Sequence, residues 1–539
     1  MGSFVKEMKA LNLEELTVEQ KLGMVLCCLV HNRKTEEETE ANIQYVLNLA
    51  KNHSIGAVFV LPDLKNRDAV IARIKEAADY PVLILCDAER GFPAEGYEKI
   101  GAHNAIGTCN TAESAYAFGK VTAVNARKAG YNVVCDPVLD MTDENCTCGG
   151  TIRSIGGDKY RVTELALAEA QGMHDGGVLT VAKHYPGATG NPRIDSHMAE
   201  NSSDISVDEL IDYYLYPYTE LNKKGLLDGI MTGHDRLNRI DPDFPTSLSR
   251  KSIGIIRDLG FEGFAITDAL CMAGVVSKFG WVPCRGMAIA GGNSLALVWG
   301  SGEVGYTSML QCYKDGLIPD DMLDSAVSYV IAAQQKVMLL DTTAEITEED
   351  KINYNRLNTD GVYAKTDEGL SVALPKDKKH YFVILCDNEA DLNNGEISVA
   401  TMQDAWYDPA RIAERLKALY PDSGYRIVKE FPAQGDIQRI VEDNLLYDDV
   451  VFVTFIDTKA YIGVENFAPR VYSLVEALQV TNRVSTILHF GNPFVLEDFV
   501  HVPRIIIGGT APAAVEAGLK VLSGEYPAKG SLTYDVKFK

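Results

Sequence analysis

The sequence predicts an α/β protein in which a (β/α)8 TIM-type barrel is followed by a smaller α/β sandwich domain. The first part of the chain contains eight runs of apolar residues. Each run is continuous, without alternation of apolar and polar residues, and the segments between the runs are long enough to form helices. Continuous apolar runs are typical of parallel strands that are buried on both faces. Eight β/α units in about 300 residues match the length of such a barrel. The alternative arrangement of the same units is an open, doubly wound sheet.

The apolar runs give the positions of the predicted barrel strands. They cover residues 24–30, 57–61, 82–86, 132–135, 178–182, 228–232, 264–267 and 294–298. Segments 110–129, 160–175 and 206–224 are predicted to be helices between them. Ahead of the first strand, Thr17 and Gln20 have the spacing of a capping box, so we expect a helix to start at Thr17.

A change in composition marks the predicted domain boundary. We predict a barrel domain at 1–340, a linker at 341–378, which is rich in charged and polar residues, and an α/β sandwich domain at 379–539. In the last segment apolar runs again alternate with helical stretches, which favours a mostly parallel sheet covered by helices. These runs cover 381–386, 425–431, 449–455, 484–491 and 504–509.

Composition and charge exclude some classes of partner. The chain has 539 residues, of which 46% are hydrophobic and 23% are charged, and its formal net charge is -24. Nucleic acids and anionic membrane surfaces would be repelled at long range, so we predict neither as a partner. No apolar run reaches the ~18 residues of a membrane span, and the start of the chain lacks the pattern of a secretion signal. Its 11 cysteines are odd in number and lie mostly in apolar runs, so we expect reduced thiols and a cytoplasmic location.

Ionisable residues follow five of the eight predicted strands. They are Asp87, Asp136, Lys183 with His184, His234 and Asp268. In a barrel of parallel strands, catalytic groups lie where the carboxyl ends of the strands meet the loops. We therefore expect these side chains to surround one pocket and to form an active site.

The stretch 181–200, VAKHYPGATGNPRIDSHMAE, combines a strand end with a loop rich in Gly, Pro and Asn. Asp195 and His197 are two residues apart, so the carboxylate is able to hold one ring nitrogen and make the other more basic. His197 is therefore a candidate for proton transfer, although Asp-x-His also occurs as ordinary loop sequence. Asp268, at the exit of an apolar strand, is a candidate nucleophile, with a helix N-cap as the alternative.

The same region raises the question of a metal ion. The candidate ligands are His184, His197, His234, Asp195 and Asp268. However, no two of the histidines have ligand spacing on one element, and Lys183 beside His184 disfavours a bound cation. We predict no metal and no organic cofactor.

Several motifs resemble those of glycoside hydrolase family 3. ITDALCMAG, at 266–274, resembles the nucleophile segment of the family, and KHYPG followed by DSH resembles its β-N-acetylglucosaminidase branch. VCDPVLD and TIRSIGGD are similar to its sugar-binding region. MTGHDRLNRIDPDFPTSLS (231–249) and HFGNPFVLEDF (489–499) extend the resemblance over nearly the whole chain.

The resemblance implies a retaining exo-β-N-acetylglucosaminidase, a hydrolase of the β-N-acetylhexosaminidase type that acts on an amino-sugar glycoside. It implies that Asp268 is the nucleophile of a covalent glycosyl-enzyme, and that His197, oriented by Asp195, is the general acid/base. Hydroxyl groups of the terminal sugar would be held by Asp87, Arg153, Lys183 and His184. Because a neutral imidazole base does not repel an anion as a carboxylate does, phosphate is a candidate acceptor in place of water.

Two departures from the family pattern leave alternatives open. The D-x-E-G-G of the family is DAERGFP here (87–93), with Arg90 at a glycine position, and the loop after the K-H-aromatic-P-G motif reads ATG (188–190) in place of H-G. One alternative is a β-glucosidase type whose acid/base comes from the second domain, with Glu465 as a candidate. Another is a catalytically inactive sugar-binding homologue. The natural aglycone and the oligomeric state also stay open.

Overall fold

The chain forms two compact units in a computed structural model that describes residues 8–142, 152–191, 194–385, 390–393, 396–399, 409–428, 432–456 and 467–538. The first unit comprises the chain up to Tyr97 together with Ala112–Met141 and Asp158–Tyr354. The second comprises Glu98–Thr111, Thr142–Gly157 and the chain from Asn355 onward. Two segments that interrupt the barrel sequence therefore belong to the second unit. The domain boundaries at 340 and 378 stay predictions.

The first unit contains an eight-stranded parallel barrel. Its strands are β1 (Leu26–Val30), β2 (Ala57–Val60), β3 (Leu83–Cys86), β4 (Val133–Val134), β5 (Leu179–Tyr185), β6 (Gly229–Thr232), β7 (Phe264–Thr267) and β8 (Ala296–Val298). They are hydrogen-bonded in the order β8-β1-β2-β3-β4-β5-β6-β7. A parallel bridge between Ile266 and Leu295 brings the two ends of the sheet together, so the predicted barrel is confirmed and the open sheet is not the fold.

Burial explains why these segments are strands. Every residue of β1, β2, β3, β6 and β7 is buried, as expected for strands covered by helices outside and by side chains inside the barrel. Eight cysteines lie in the described part of the chain; none of these eight forms a disulfide, and all but Cys271 are buried.

Helices surround the barrel strands. The helices of the first unit with at least six residues are Val18–Met24, Glu36–Lys51, Arg67–Ala77, Ala112–Lys128, Lys159–Asp175, Tyr216–Lys223, Arg250–Asp258, Ala273–Phe279, Pro283–Ala290, Gly302–Lys314 and Asp320–Val337, and Glu348–Thr359 runs on into the second unit. Glycines allow the fourth and fifth of these to pack closely, since a Cβ at Gly119 would lie 2.0 Å from the carbonyl oxygen of Glu169. No helix in the described ranges is both long and apolar enough to cross a membrane.

Several predicted elements differ in extent from the observed ones. The strand predicted to start at residue 24 starts at Leu26, because Met24 is the end of helix Val18–Met24, whose predicted capping box of Thr17 and Gln20 is confirmed. The helix predicted at 206–224 is divided into short helical pieces before Tyr216–Lys223, with Pro217 in the first turn of the last piece, where a missing N–H is tolerated. The strand predicted to end at 182 continues to Tyr185.

The second unit is a six-stranded sheet covered on both faces. Its strands are β9 (Tyr363–Thr366), β10 (His380–Leu385), β11 (Gly424–Val428), β12 (Asp449–Ile456), β13 (Val484–Gly491) and β14 (Arg504–Gly508), in the order β9-β14-β13-β12-β10-β11. Only β9 runs antiparallel. Alternate residues of β10 and β12 belong to two separate apolar clusters, so the sheet is buried on both faces and the predicted α/β sandwich is confirmed.

The remaining elements of the second unit are helices and one hairpin. The helices are Asn104–Cys109, Pro409–Leu419, Gln434–Asp443, Pro469–Gln479 and Pro512–Ser523, and the hairpin joins Ala390–Asn393 to Glu396–Val399. The polar segment 341–378 contains the helix Glu348–Thr359 and strand β9. Tyr354 and Leu357 in that helix are each 1% exposed, so a few apolar residues are enough to bury one side of it.

Candidate active site

The residues that the sequence analysis identifies at strand ends meet at one edge of the barrel. Asp87 and Asp268 are the first residues after β3 and β7, and His234 is the second residue after β6. Lys183 and His184 lie within the last three residues of β5. Since the strands are parallel, these ends share the edge at which barrel enzymes build their sites.

Asp268 is fixed by its own backbone and that of its neighbours. Its N–H donates to the carbonyl of Thr232 (2.9 Å), and its Oδ1 accepts from the Ala269 N–H (2.7 Å). Oδ2 lies 4.0 Å from Nε2 of His184. Burial raises the pKa of Asp268, but the imidazoles of His184, His234 and His197 outweigh it and lower the pKa to about 2. Asp268 is therefore a carboxylate at neutral pH.

His184 is held in one orientation by Asp140. Its Nδ1 lies 2.8 Å from Oδ2 of Asp140, and its backbone N–H donates to Oδ1 of the same carboxylate (2.9 Å). The segment that carries Asp140 continues the pairing with β5, because Leu139 N–H donates to the carbonyl of Lys183 (2.6 Å). Two bonds from one carboxylate fix the ring, so Nε2 is directed toward Asp268.

Lys183 forms a buried cation between two carboxylates. Its side chain is 1% exposed, and Nζ lies 2.5 Å from Oδ1 of Asp87 and 2.7 Å from Oε1 of Glu89. Burial disfavours the ammonium, but the two carboxylates outweigh it and raise the pKa of Lys183 well above its ordinary value. The Asp87 side chain remains half exposed, so it is accessible to a ligand.

The loop after β5 carries the Asp195–His197 pair. Nδ1 of His197 lies 2.7 Å from Oδ1 of Asp195, and the backbone N–H of His197 donates to the same oxygen (2.9 Å). A carboxylate on Nδ1 leaves Nε2 as the ring nitrogen for proton exchange. The predicted local pairing of these two residues is therefore present, with Asp195 buried and His197 partly exposed.

This loop is attached to the segment that follows Asp268. The N–H of Ala273 donates to the carbonyl of His197 (3.1 Å), and the N–H of Gly274 donates to that of Ser196 (3.1 Å). A Cβ at Gly274 would lie 2.6 Å from the Ser196 carbonyl oxygen, so only glycine permits this approach. The backbone of the loop at Ser196 and His197 is thus hydrogen-bonded to the segment that carries Asp268.

His234 supports the backbone beside Asp268. It is buried, its Nδ1 lies 2.8 Å from Oγ of Ser247, and its Nε2 lies 3.2 Å from the carbonyl oxygen of Ala269. Burial lowers the pKa of His234, against the attraction of Asp268, so the neutral ring that donates to Ala269 is the favoured form.

One candidate residue belongs to the second unit, and another lies outside the described residues. Arg153 is partly buried in the segment Thr142–Gly157, which belongs to the second unit, and its role in sugar binding stays a prediction. Glu465, the acid/base of the alternative, lies outside the described residues.

The sequence analysis did not identify Glu89 and Asp140 as site residues. Asp140 lies within VCDPVLD, which carries the family resemblance, and Glu89 lies within DAERGFP, which departs from the family pattern at Arg90. An alternating pair of carboxylates, Asp87 and Glu89, directly after a buried strand is the signal that indicates Glu89. For Asp140 the signal is weaker, because its partner His184 is 44 residues away in the chain.

Comparison with known proteins places the chain in a family. The model of the glycosyl hydrolase family 3 N terminal domain matches residues 17–333. The chain therefore belongs to glycoside hydrolase family 3 and is a glycoside hydrolase, which confirms the resemblance drawn from the motifs.

Relatives and solved structures extend this similarity to nearly the full chain. The chain is 22% identical to a β-N-acetylglucosaminidase/β-glucosidase of Cellulomonas fimi, over 97% of this chain and 94% of the relative. A family 3 β-N-acetylglucosaminidase from Paenibacillus sp. str. FPU-7 has the same fold, with a TM-score of 0.77 and 22% identity over 97% of this chain and 100% of that chain. A β-glucoside phosphorylase bound to 2FGlc gives a TM-score of 0.77 and 21% identity, over 97% and 95% of the two chains.

Proposed function

We propose that this glycoside hydrolase is a retaining exo-β-N-acetylglucosaminidase, which removes terminal non-reducing N-acetylglucosamine through a covalent intermediate on Asp268. The main support is that the segment carrying Asp268, an ionised carboxylate, is hydrogen-bonded to the backbone of the loop whose imidazole, His197, is oriented by Asp195. Retaining hydrolysis needs a nucleophile and a separate group that first gives and then takes a proton. Asp268 and His197 supply these two groups.

In the first step, Oδ2 of Asp268 bonds to the anomeric carbon while the bond from that carbon to the glycosidic oxygen breaks. Protonated His197 donates the Nε2 proton to this oxygen, so the aglycone leaves as a neutral alcohol. Asp195, bonded at Nδ1, stabilises the imidazolium before the transfer and keeps the ring in orientation afterwards.

In the second step, neutral His197 accepts a proton from water as the water oxygen bonds to the anomeric carbon. The bond to Asp268 breaks, and the carboxylate and the imidazolium are restored. Two displacements at the same carbon give net retention of configuration.

We propose that Asp87, Arg153, Lys183 and His184 bind hydroxyl groups of the terminal sugar. Lys183 and its carboxylate partners provide both donors and acceptors at one place, as sugar hydroxyls require. N-acetylglucosamine is the sugar supported by the names of the Cellulomonas and Paenibacillus proteins. We also propose a cytoplasmic location, on the basis of the free cysteines of the described chain.

Phosphate is a second acceptor that we propose for the glycosyl-enzyme. The acid/base is an imidazole, which carries no negative charge as a base and therefore does not repel phosphate. In that reaction a phosphate oxygen bonds to the anomeric carbon in place of water while the bond from that carbon to Asp268 breaks, so that a sugar 1-phosphate leaves and the Asp268 carboxylate is restored. The shared fold with a β-glucoside phosphorylase is compatible with this chemistry.

β-Glucosidase activity is the second candidate function, because the name of the Cellulomonas relative includes both activities. Hydrolysis of p-nitrophenyl N-acetyl-β-glucosaminide and of p-nitrophenyl β-glucoside separates the two. We expect faster turnover of the first substrate, and faster turnover of the second would favour the glucosidase. If neither is cleaved, the proposed function is wrong.

The roles of individual residues are tested with the same aryl glycosides. We expect Asp268→Asn to be inactive, and His197→Ala to retain fast release of a good leaving group while the second step becomes slow. Each variant is assayed with and without phosphate, and sugar 1-phosphate is measured in the products. If phosphate neither accelerates turnover nor yields this product, phosphorolysis is excluded. An unaffected His197→Ala would contradict the assignment of the acid/base.

A further inference from the structure

The loop that carries Asp195 and His197 is held by backbone and side-chain groups outside the Asp195–His197 pair. In the described residues, hydrogen bonds attach its start, its middle and its end to neighbouring elements. The end is attached through Ala273 and Gly274. The other two attachments come from Asp235, which follows β6, and from Asn201, which follows the loop.

Asn201 uses its whole amide to hold this loop. Its Oδ1 accepts from the N–H of Asn191 (2.8 Å) and of Ser202 (2.9 Å), and its Nδ2 donates to the carbonyls of Asn191 (3.3 Å) and Ile194 (3.1 Å). The residue is 6% exposed. A buried amide with both donors and both acceptor positions used has one favourable orientation. Asn201 therefore fixes the backbone at Asn191 and at Ile194, the residue directly before Asp195.

Asp235 holds the start of the loop. Its Oδ2 accepts from the N–H of Gly190 (2.8 Å), and its own carbonyl accepts from the N–H (2.8 Å) and the hydroxyl (2.9 Å) of Thr246. Asp235 follows His234, which contacts the backbone of Ala269. The attachment at Gly190 therefore originates from the same strand end that supports the nucleophile.

Asn201 is itself attached to the segment that carries Asp235. Its carbonyl accepts from the N–H of Arg236 (3.0 Å), the residue after Asp235, and Ser202 and Ser203 pair with Arg236 and Leu237 in a short parallel ribbon. Glu200 forms an ion pair with Arg236. The two attachments are therefore parts of one ribbon beside the barrel mouth.

We propose that Asn201 and Asp235 are positioning residues that fix the loop 188–197, so that the Asp195–His197 pair faces Asp268. The inference rests on the proposed function, since it assigns these residues to the alignment of the acid/base. A small displacement of a proton donor from its substrate oxygen costs about 100-fold in rate. Neither residue needs to touch substrate for this effect.

The test compares two substrates that differ in their need for the acid. A 2,4-dinitrophenyl N-acetyl-β-glucosaminide has a leaving group that departs without a proton, whereas the p-methoxyphenyl glycoside needs one. We measure the ratio of kcat/KM for the two. The ratio does not depend on how much of a variant is folded, so loss of stability alone leaves it unchanged.

We expect Asn201→Ala and Asp235→Ala to shift this ratio by about 10- to 100-fold in favour of the dinitrophenyl substrate. Asn201→Asp has the same shape but sets a carboxylate against two carbonyl oxygens, and we expect a shift in the same direction. Asp235→Asn keeps an oxygen that accepts from the N–H of Gly190, so we expect this variant to retain the wild-type ratio. The control is Asn238→Ala, because Asn238 contacts Arg236 and Asp204 but not the loop.

Failure of the inference and failure of the proposed function give different results. If His197→Ala shifts the ratio while Asn201→Ala, Asn201→Asp and Asp235→Ala keep the wild-type value, the positioning role is overturned and the acid/base assignment stands. If His197→Ala keeps the wild-type ratio, the acid/base assignment is overturned, and the positioning role falls with it.

Discussion

The two ends of the barrel each hold an aspartate beside a histidine, but the two carboxylates differ in what they bind. Asp228, just before β6, accepts from Nε2 of His174 (2.7 Å), Nζ of Lys336 (3.0 Å) and the N–H of Thr180 (3.2 Å). At the opposite end, Asp268 accepts one backbone N–H on Oδ1, and no described residue donates a hydrogen bond to its Oδ2. Asp228 thus uses its oxygens to join structural elements, whereas Oδ2 of Asp268 accepts no hydrogen bond from the described residues.

The comparison shows how a carboxylate stays ionised while one of its oxygens accepts no hydrogen bond. At Asp228 burial raises the pKa, and direct bonds to His174 and Lys336 lower it below its ordinary value. At Asp268 burial also raises the pKa, but three imidazoles that form no direct hydrogen bond to the carboxylate lower it to about 2. Electrostatic attraction to nearby imidazoles stabilises the negative charge of Asp268 without a direct hydrogen bond, and therefore leaves its Oδ2 accessible.

Loss of the proposed nucleophile, Asp268, is the largest effect that we expect. Asp268→Asn should lower kcat/KM by at least about 10,000-fold, because the amide cannot form the glycosyl intermediate. The urea midpoint of unfolding should change little, since Oδ2 holds no other element in place. The matched variant Asp228→Asn should retain kcat/KM per folded molecule. Comparable losses of kcat/KM in Asp268→Asn and Asp228→Asn would contradict the different roles that we assign to the two carboxylates.

The second effect is on stability and concerns the opposite end of the barrel. Asp228→Ala leaves His174 and Lys336 without their carboxylate, and we expect the free energy of unfolding to fall by about 2 kcal/mol. Lys336→Ala is the control, because its side chain is half exposed and should cost less than about 1 kcal/mol. Urea unfolding of both variants measures the difference. An unchanged free energy in Asp228→Ala would show that this carboxylate does not stabilise the fold.

The dependence of stability on pH provides a third comparison. The pKa of Asp228 is lower in the folded chain than its ordinary value near 4. Ionised Asp228 therefore stabilises the fold above about pH 4, and this contribution is lost as the pH falls through the folded pKa. Below pH 4 the unfolding free energy of the wild type should fall more steeply than that of Asp228→Asn. Parallel curves for the two proteins would contradict the assignment.

The smallest effect concerns the backbone of the acid/base loop. Ala188 has a φ of 58°, in the left-handed region that is unfavourable for residues with a Cβ. Ala188→Gly should therefore raise the free energy of unfolding by about 0.5 kcal/mol. Ala72→Gly, at an exposed position of a helix, is the control and should lower it by about 1 kcal/mol. A decrease of the free energy of unfolding in both variants would show that glycine does not relieve strain at position 188.

The sequence predicts the barrel well because each strand is a continuous apolar run followed by a turn. For the same reason, the positions of Asp87, Lys183, His184 and Asp268 at strand ends are predictable. β4 has only two residues with strand pairing, and the Asp140–His184 contact depends on the path of the chain beyond it. That path is set by tertiary contacts, so periodicity does not reveal it.

The attachments of the acid/base loop are also beyond prediction from the sequence. The Asp195–His197 contact is local and is predicted by a spacing of two residues. Asn201 and Asp235, in contrast, are ordinary polar residues in loop sequence, and their role depends on which backbone groups lie opposite them. The partner of Asp235, Gly190, is 45 residues away in the chain.

The covalent intermediate on Asp268 is the central claim, and trapping it is the most direct test. The enzyme is incubated with an activated 5-fluoro glycosyl fluoride of N-acetylglucosamine, which slows the second step, and its peptides are analysed by mass spectrometry. We predict one glycosyl adduct on the peptide that contains Asp268, with no adduct in Asp268→Asn. An adduct on another carboxylate of the active enzyme, or a product of inverted anomeric configuration, would contradict the account.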